Sequence, residues 1–152
     1  MSEFAIRTEI YNILSGVTNI GKVYDYERWA ADWNTFINLF KTTISGADQI
    51  RGWEIGRRSV TEGGETLGTN ERKHTFTIRG YMGISDAAAT EKTFNALIEA
   101  ICAAFRVNPT LNGSADLHQD VQVEVIEART FGGVLCHYAE MSLEADEIVL
   151  TY

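Results

Sequence analysis

Three histidines, two cysteines and a glycine-rich run are the groups through which this chain could do metal, covalent or phosphate chemistry. The histidines are His74, His118 and His137. No two of them stand at i, i+4 on a helix, and no Cys-x-x-Cys occurs. Zinc takes three or four such donors at close spacing, so no metal centre is expected. His137-Tyr138-x-Glu140 has the composition of an acid–base cluster. Residues alternate across a strand, however, so His137 and Glu140 would face opposite sides of a sheet. His74 and Tyr81, on another strand, read as structural residues. Chain order leaves a Ser-His-Asp arrangement open, but no G-x-S-x-G elbow is present to expose a serine. Gly63, Gly64 and Gly68 do not precede a helix, so they make no phosphate loop. Cys102 in an apolar helix and Cys136 in a strand read as small buried hydrophobes, compatible with a reducing compartment. No catalytic residue and no cofactor is expected.

Charge is the stronger signal. The chain of 152 residues is 45% hydrophobic and 22% charged, the make-up of one soluble globular domain, with a net charge of −8. That balance argues against sequence-independent nucleic-acid binding, which needs clustered Lys and Arg. Between Arg51 and Tyr81 lie six basic residues (Arg51, Arg57, Arg58, Arg72, Lys73 and Arg79) against four acids. Between Asp116 and Tyr152 lie eight acids against one base, Arg129. The two regions could attract each other within a subunit or between subunits, and a merely solvated acidic face also fits. The opening M-S-E-F-A-I-R-T-E-I has no apolar h-region, so no secretory signal is expected. No apolar run approaches the ~18–20 residues of a membrane span.

These charges must be positioned by the elements around Ile50–Met82. Trp53 and Ile55 share one parity, Glu54 and Arg58 the other; Phe76 and Ile78 oppose Thr75, Thr77 and Arg79. Period-two alternation predicts two half-buried antiparallel strands. The intervening Gly63, Gly64, Gly68 and Asn70 predict a turn too long for a two-residue loop, hence a projecting, mobile arm at about 56–74. Ile6, Ile10, Ile13 and Leu14 make one helical stripe over Glu3–Leu14, with Ser2 as N-cap and Gly16 as stop. Val17–Asp25 reads as linker. A second helix is expected from about Tyr26 to Thr42, with Trp29, Trp33, Phe36, Ile37 and Phe40 as a core stripe. Without convergent polar groups these aromatics read as core rather than as a ligand cage. The third helix, about Asp86 to Phe105, buries Phe94, Leu97, Ile98, Ile101 and Phe105, with Ser85 or Asp86 as its cap. Val121–Val125 and Leu135–Glu144 alternate as a second hairpin about Phe131-Gly132-Gly133, and Ile148–Tyr152 is a further extended run. The expected fold is a single α+β domain over 1–152. It is a four-stranded antiparallel sheet of two hairpins, helices packed on one face, in the order α-α-β-β-α-β-β. Thr75, Thr77, Arg79, Glu124, Glu140 and Glu144 would occupy its exposed face.

The layout has a further meaning. The run V-Y-D-Y-E-R-W-A-A-D-W-N-T-F-I-N-L-F (Val23 to Phe40) leads to I-R-G-W-E-I-G-R (Ile50 to Arg57). A strand ending F-T-I-R-G-Y (Phe76 to Tyr81), a long helix and a closing acidic hairpin follow. This arrangement resembles the tail terminator and tail-completion proteins of long-tailed bacteriophages. The resemblance rests on layout and aromatic-rich phrases over most of the chain. It implies a small α+β subunit of a hexameric ring at the head-proximal end of the tail tube. Such a ring ends tube polymerisation and forms the surface that joins the head. Its partners would be further copies of itself, the tail tube protein and a head–neck connector protein, with DNA passing through but not specifically bound. The location implied is the virion tail, reached by assembly in the host cytoplasm, with no membrane, metal or cofactor.

A ring needs head-to-tail contacts between unlike surfaces. Arg57, Arg58, Arg72 and Lys73 on the arm are the candidate basic side, and Glu140, Glu144, Asp146 and Glu147 the candidate acidic side. The acidic balance would also suit a lumen that repels phosphate. Two rival readings remain open: another neck, connector or tube-like subunit, and a small ligand-binding or enzymatic domain. The latter would set His74, His137 or Tyr138 near a pocket between the second helix and the sheet.

Overall fold

The computed structural model describes residues 2–150, the side chain of Glu65 apart. Its elements run α1 (Glu3–Ser15), β1 (Lys22–Tyr24), α2 (Trp33–Phe40), β2 (Lys41–Ile44), β3 (Ala47–Thr66), β4 (Thr69–Gly83), α3 (Thr90–Arg106), β5 (Leu117–His118), β6 (Gln122–Phe131) and β7 (Val134–Leu150). The strands make one seven-stranded sheet in the order β1-β3-β4-β7-β5, with β2 also on β3 and β6 also on β7. All pairings are antiparallel except β1–β3.

The expected four-stranded, all-antiparallel sheet with helices on one face is therefore corrected to a mixed sheet of seven strands with three helices, which cover both faces. The register shows why. Trp53, Ile55, Phe76, Ile78, Met82, Ala139, Met141 and Leu143 lie on one face and form the main core with the stripes of α1 and α3. The opposite parity is not simply polar, because it carries Tyr81 and Tyr138. With Cys136, these pack against Phe36 and Phe40 of α2 in a second cluster. Thr77, expected on an exposed face, is buried there, whereas Glu124 is exposed.

α1 forms as its stripe predicts, with the Ser2 hydroxyl accepting from the Ala5 N–H at 3.2 Å. α3 begins later than expected, at Thr90, after a turn in which Thr90 Oγ1 bonds to both backbone groups of Ser85. α2 is half its expected length. Trp29 stands 82% exposed outside it, and Asp32, not a residue before Tyr26, caps it through Thr35 N–H at 2.8 Å. A short N-capped helix needs only two core anchors, Phe36 and Phe40. The run Lys41-Thr42-Thr43-Ile44, with three β-branched residues, then pairs with β3 instead of extending the helix. Val23-Tyr24, read as linker, becomes part of β1.

The arm is also differently built. β3 and β4 stay paired out to Thr66 and Thr69, leaving a two-residue turn at Leu67-Gly68. Gly68 supplies the positive φ such a turn requires. The ladder absorbs the extra glycines by register shifts between Arg57 and Ser59 and between Gly63 and Thr66. β7 runs beside β4 along its whole length, so the arm is a three-stranded blade. Ile148–Leu150 belong to β7, whereas Thr151 and Tyr152 lie outside the described residues.

Candidate functional site

Between α2 and the sheet lies a cleft of about 450 Å³. Its floor is Glu54 of β3, Arg79 and Tyr81 of β4, and Tyr138 and Glu140 of β7; its walls are Glu27, Arg28, Phe36, Arg129 and Phe131. The sheet alternation places the floor residues together, because Glu54 opposes Arg79 and Arg79 opposes Glu140 across the ladders. Gly52 admits the wall: a Cβ there would sit 2.3 Å from the Phe40 ring.

Glu54 is only 4% exposed. Its carboxylate accepts from the Tyr81 hydroxyl and from the Arg28 N–H, both at 2.9 Å. Burial nevertheless pushes its pKa above the ordinary carboxylate value, and the two donors and Arg79 offset only part of that. The same burial, with the Glu54 charge, drives the Tyr81 phenol upward. Tyr138 donates to Glu140 at 2.9 Å, and burial first, then that carboxylate, pushes it to about 12. Arg79 pairs with Glu27 at 3.2 Å, and the Arg129 guanidinium lies 4.3 Å over the Tyr138 ring. The polar groups of the cleft are thus largely mated to one another.

Glu54→Gln tests the electrostatics. The neutral amide can still accept from the Arg28 N–H and donate to the Tyr81 hydroxyl. An acid whose folded pKa is raised favours folding most below its unfolded value, near 4.5. That contribution is lost as pH rises through the folded value. Relative to wild type, Glu54→Gln should therefore gain stability between pH 4 and pH 7. Urea unfolding at the two pH values reads the difference, and a relative loss would refute it.

The eight charged candidates for an interface separate. Arg72 and Glu147 meet within the subunit at 3.1 Å, with His74 Nε2 3.0 Å from the same carboxylate oxygen. Arg72 also faces Glu62 at 3.5 Å. Lys73 lies 3.9 Å from Glu71 and opposes the half-buried Asp146, whose carboxyl burial pushes upward. Arg58 lies 3.7 Å from Glu124, and Glu140 belongs to the cleft. Arg57 is exposed with no acidic partner among the described residues, and Glu144 is half-buried on the α2 face.

The histidines stand apart. His137 bonds to Thr90 Oγ1 at 2.9 Å and stacks on Phe94, on the face opposite Glu140. Burial lowers its pKa. His118 Nε2 donates to the carbonyls of Phe105 and Asn108, satisfying the end of α3. Among the described residues no group of three His, Cys, Asp or Glu could hold a metal ion, and no helix is long and apolar enough to cross a membrane.

Sequence reasoning missed Glu54, Glu27, Arg28, Arg79 and Arg129 as one cluster. A signal was present: Tyr81 and Tyr138 sit on the polar parity of their strands, where an open face would carry no aromatics. Compared with known proteins, the chain matches no family model and no curated protein.

Proposed function

We propose that this chain is a structural virion protein of a long-tailed bacteriophage. Its copies form a ring, six-fold in the resembling family, that caps the head-proximal end of the tail tube, ends polymerisation and presents the head-joining surface. The observation that carries the reading is the blade. From Arg57 to Gly64 every residue of β3 is exposed, and Leu67, Ile148 and Leu150 lie exposed at its end. So long a stretch of β-structure buries little within its own subunit and is suited to contacts with other chains. The resemblance in layout adds the kind of assembly, and the acidic balance suits a passage for DNA. Nothing in this role calls for a catalytic residue.

The test is mass by light scattering over a concentration and salt series, with negative-stain imaging and addition of purified tail tubes. The expected result is a ring that never elongates, or rings that appear only on tube ends. A monomer that also fails to bind tubes overturns the reading. Reversing charge in Arg57→Glu with Arg58→Glu should weaken assembly and its salt dependence while the monomer stays folded, since both side chains are exposed. Unchanged assembly would remove these two residues from the interface.

The cleft supports a second reading, a small ligand-binding domain, because it gathers a buried carboxylate of raised pKa with aromatic walls. The mutual pairing of its polar groups weighs against it, leaving no free nucleophile beside a base. A small-molecule thermal-shift screen with Glu54→Gln as control separates the two readings.

A further inference from the structure

The sheet has two long free edges, on opposite sides. β1 and β2 cover the outer side of β3 only as far as Glu54, so residues 57–66 of β3 have no strand beyond them among the described residues. On the other side β6 pairs with β7 alone among the described residues, and its outer side is open from Gln122 to Phe131. Free strand edges of this length are templates for pairing, and single-chain proteins blunt them with charge, proline or cover. Both edges carry charged residues and a bulge, but among the described residues neither holds a proline or is covered by a further strand, and apolar groups line the same face: Val123 at 37% and Ile126 at 48% exposed on β6, Val60 at 38% on β3.

We infer that β6 of one copy pairs antiparallel with residues 57–66 of β3 in the next, carrying one sheet from subunit to subunit; this rests on the ring reading above. The strand directions fit. β3, β4, β7 and β6 alternate in direction across the sheet, so β6 is antiparallel to β3 and a neighbouring copy in the same orientation continues the alternation. The contact joins two unlike edges, which is the head-to-tail geometry of a ring. The edges are also staggered. β6 lies beside Val134–Ser142 of β7, whereas the open part of β3 lies across β4 from Leu143–Leu150. Joined copies are therefore displaced along the strands, and the strands tilt to the ring axis as sheet closure requires. Both edges carry a register shift, at Arg58 and at Glu124, which bends the sheet. Of the charges on these edges, Arg58 pairs with Glu124 and Arg129 with Glu127 within the subunit, which leaves Arg57 on the β3 edge as the cation without an acidic partner among the described residues. On the joined apolar face Val60 meets Val123 and Ile126.

The test uses two full-length variants whose changes are confined to exposed side chains. One blocks β6 (Val123→Lys with Ile126→Lys) and the other blocks β3 (Ser59→Lys with Val60→Lys). Circular dichroism checks that each retains the wild-type strand signal. In sedimentation at concentrations where wild type assembles, each variant alone should run at monomer mass. Mixed in equal amounts, they should form a 1:1 dimer and nothing larger, because each brings one intact, complementary edge. If the β3-blocked variant dimerises by itself, β6 pairs with β6 and the inference is overturned. It is overturned as well if both variants still form wild-type rings, an outcome that leaves the ring reading standing. Where wild type assembles only on tail tubes, the variants are scored there by negative-stain imaging, and tube-end rings formed by either variant alone overturn the strand junction while leaving the ring reading standing.

Discussion

Gly80→Ala is expected to destabilise the protein by about 3 kcal/mol, in the upper range for overpacking a core. Gly80 lies on the core face of β4 directly opposite Trp53 of β3. A Cβ at this position would fall 2.2 Å from the Trp53 ring. The ring has no room to retreat. Trp53 is fully buried, stacks on Phe94 at 5.7 Å, and donates its Nε1–H to the Ile20 carbonyl at 2.9 Å. Moving it would break one of the hydrogen bonds that tie the connection after α1 to the sheet, another being that from Arg51 to the Asn19 carbonyl at 3.0 Å. The loss should lower Tm by roughly 6–12 °C for a domain of this size. Trp53→Ala removes the ring itself and should cost about 3–5 kcal/mol, leaving the Ile20 carbonyl unpaired. The two changes should not add. Once the ring is gone the alanine fits, so Gly80→Ala on the Trp53→Ala background should cost under about 1 kcal/mol. Additive costs in urea unfolding would show that Gly80 is required for some reason other than space.

Glu147→Ala should cost about 3–5 kcal/mol, the usual penalty for removing one member of a buried charged pair. Glu147 and His74 are almost wholly buried, and one carboxylate oxygen serves both His74 Nε2 and Arg72. Without it the buried imidazole loses its partner, and Arg72 keeps only Glu62 on the outer part of the blade. Glu147→Gln keeps an acceptor oxygen at the same place and should cost markedly less, about 1–2 kcal/mol. Equal losses for the two variants would mean that the net charge matters and the hydrogen bonds do not. The result also governs how interface tests are read. Glu147 and Arg72 look like surface charges in the sequence, yet reversing either one attacks the buried pair within the blade. Lost assembly in such a variant would follow from lost structure, whereas Arg57 and Arg58 can be reversed without touching a buried group.

Much of this organisation is local and was therefore readable along the chain. The stripe Ile6, Ile10, Ile13, Leu14 and the stripe of α3 repeat at the helical period, and each stripe alone specifies which side is buried. Trp53 and Ile55, with Phe76 and Ile78, alternate at the strand period, and Gly132-Gly133 permits a tight hairpin turn. Those patterns determined α1, α3 and the two long hairpins. What they could not determine was how many strands join the sheet and what covers its second face. β1 and β2 are three and four residues long, too short to show a period, and they exist only because β3 offers them an edge. Trp29 and Trp33 extend the helical pattern of α2 backwards, but the core contacts that would stabilise that turn are made by Phe36 and Phe40 alone. A pocket between the second helix and the sheet near Tyr138 was foreseeable, but its charged floor was hidden for the same reason. Glu54, Arg79 and Glu140 come from three strands, and only the ladder register brings them side by side. Period and turn chemistry are properties of neighbouring residues and so are written in the sequence. Sheet order, edge capture and the meeting of Arg72 with Glu147 across 75 positions depend on which distant surfaces bury each other, and only the folded chain decides that.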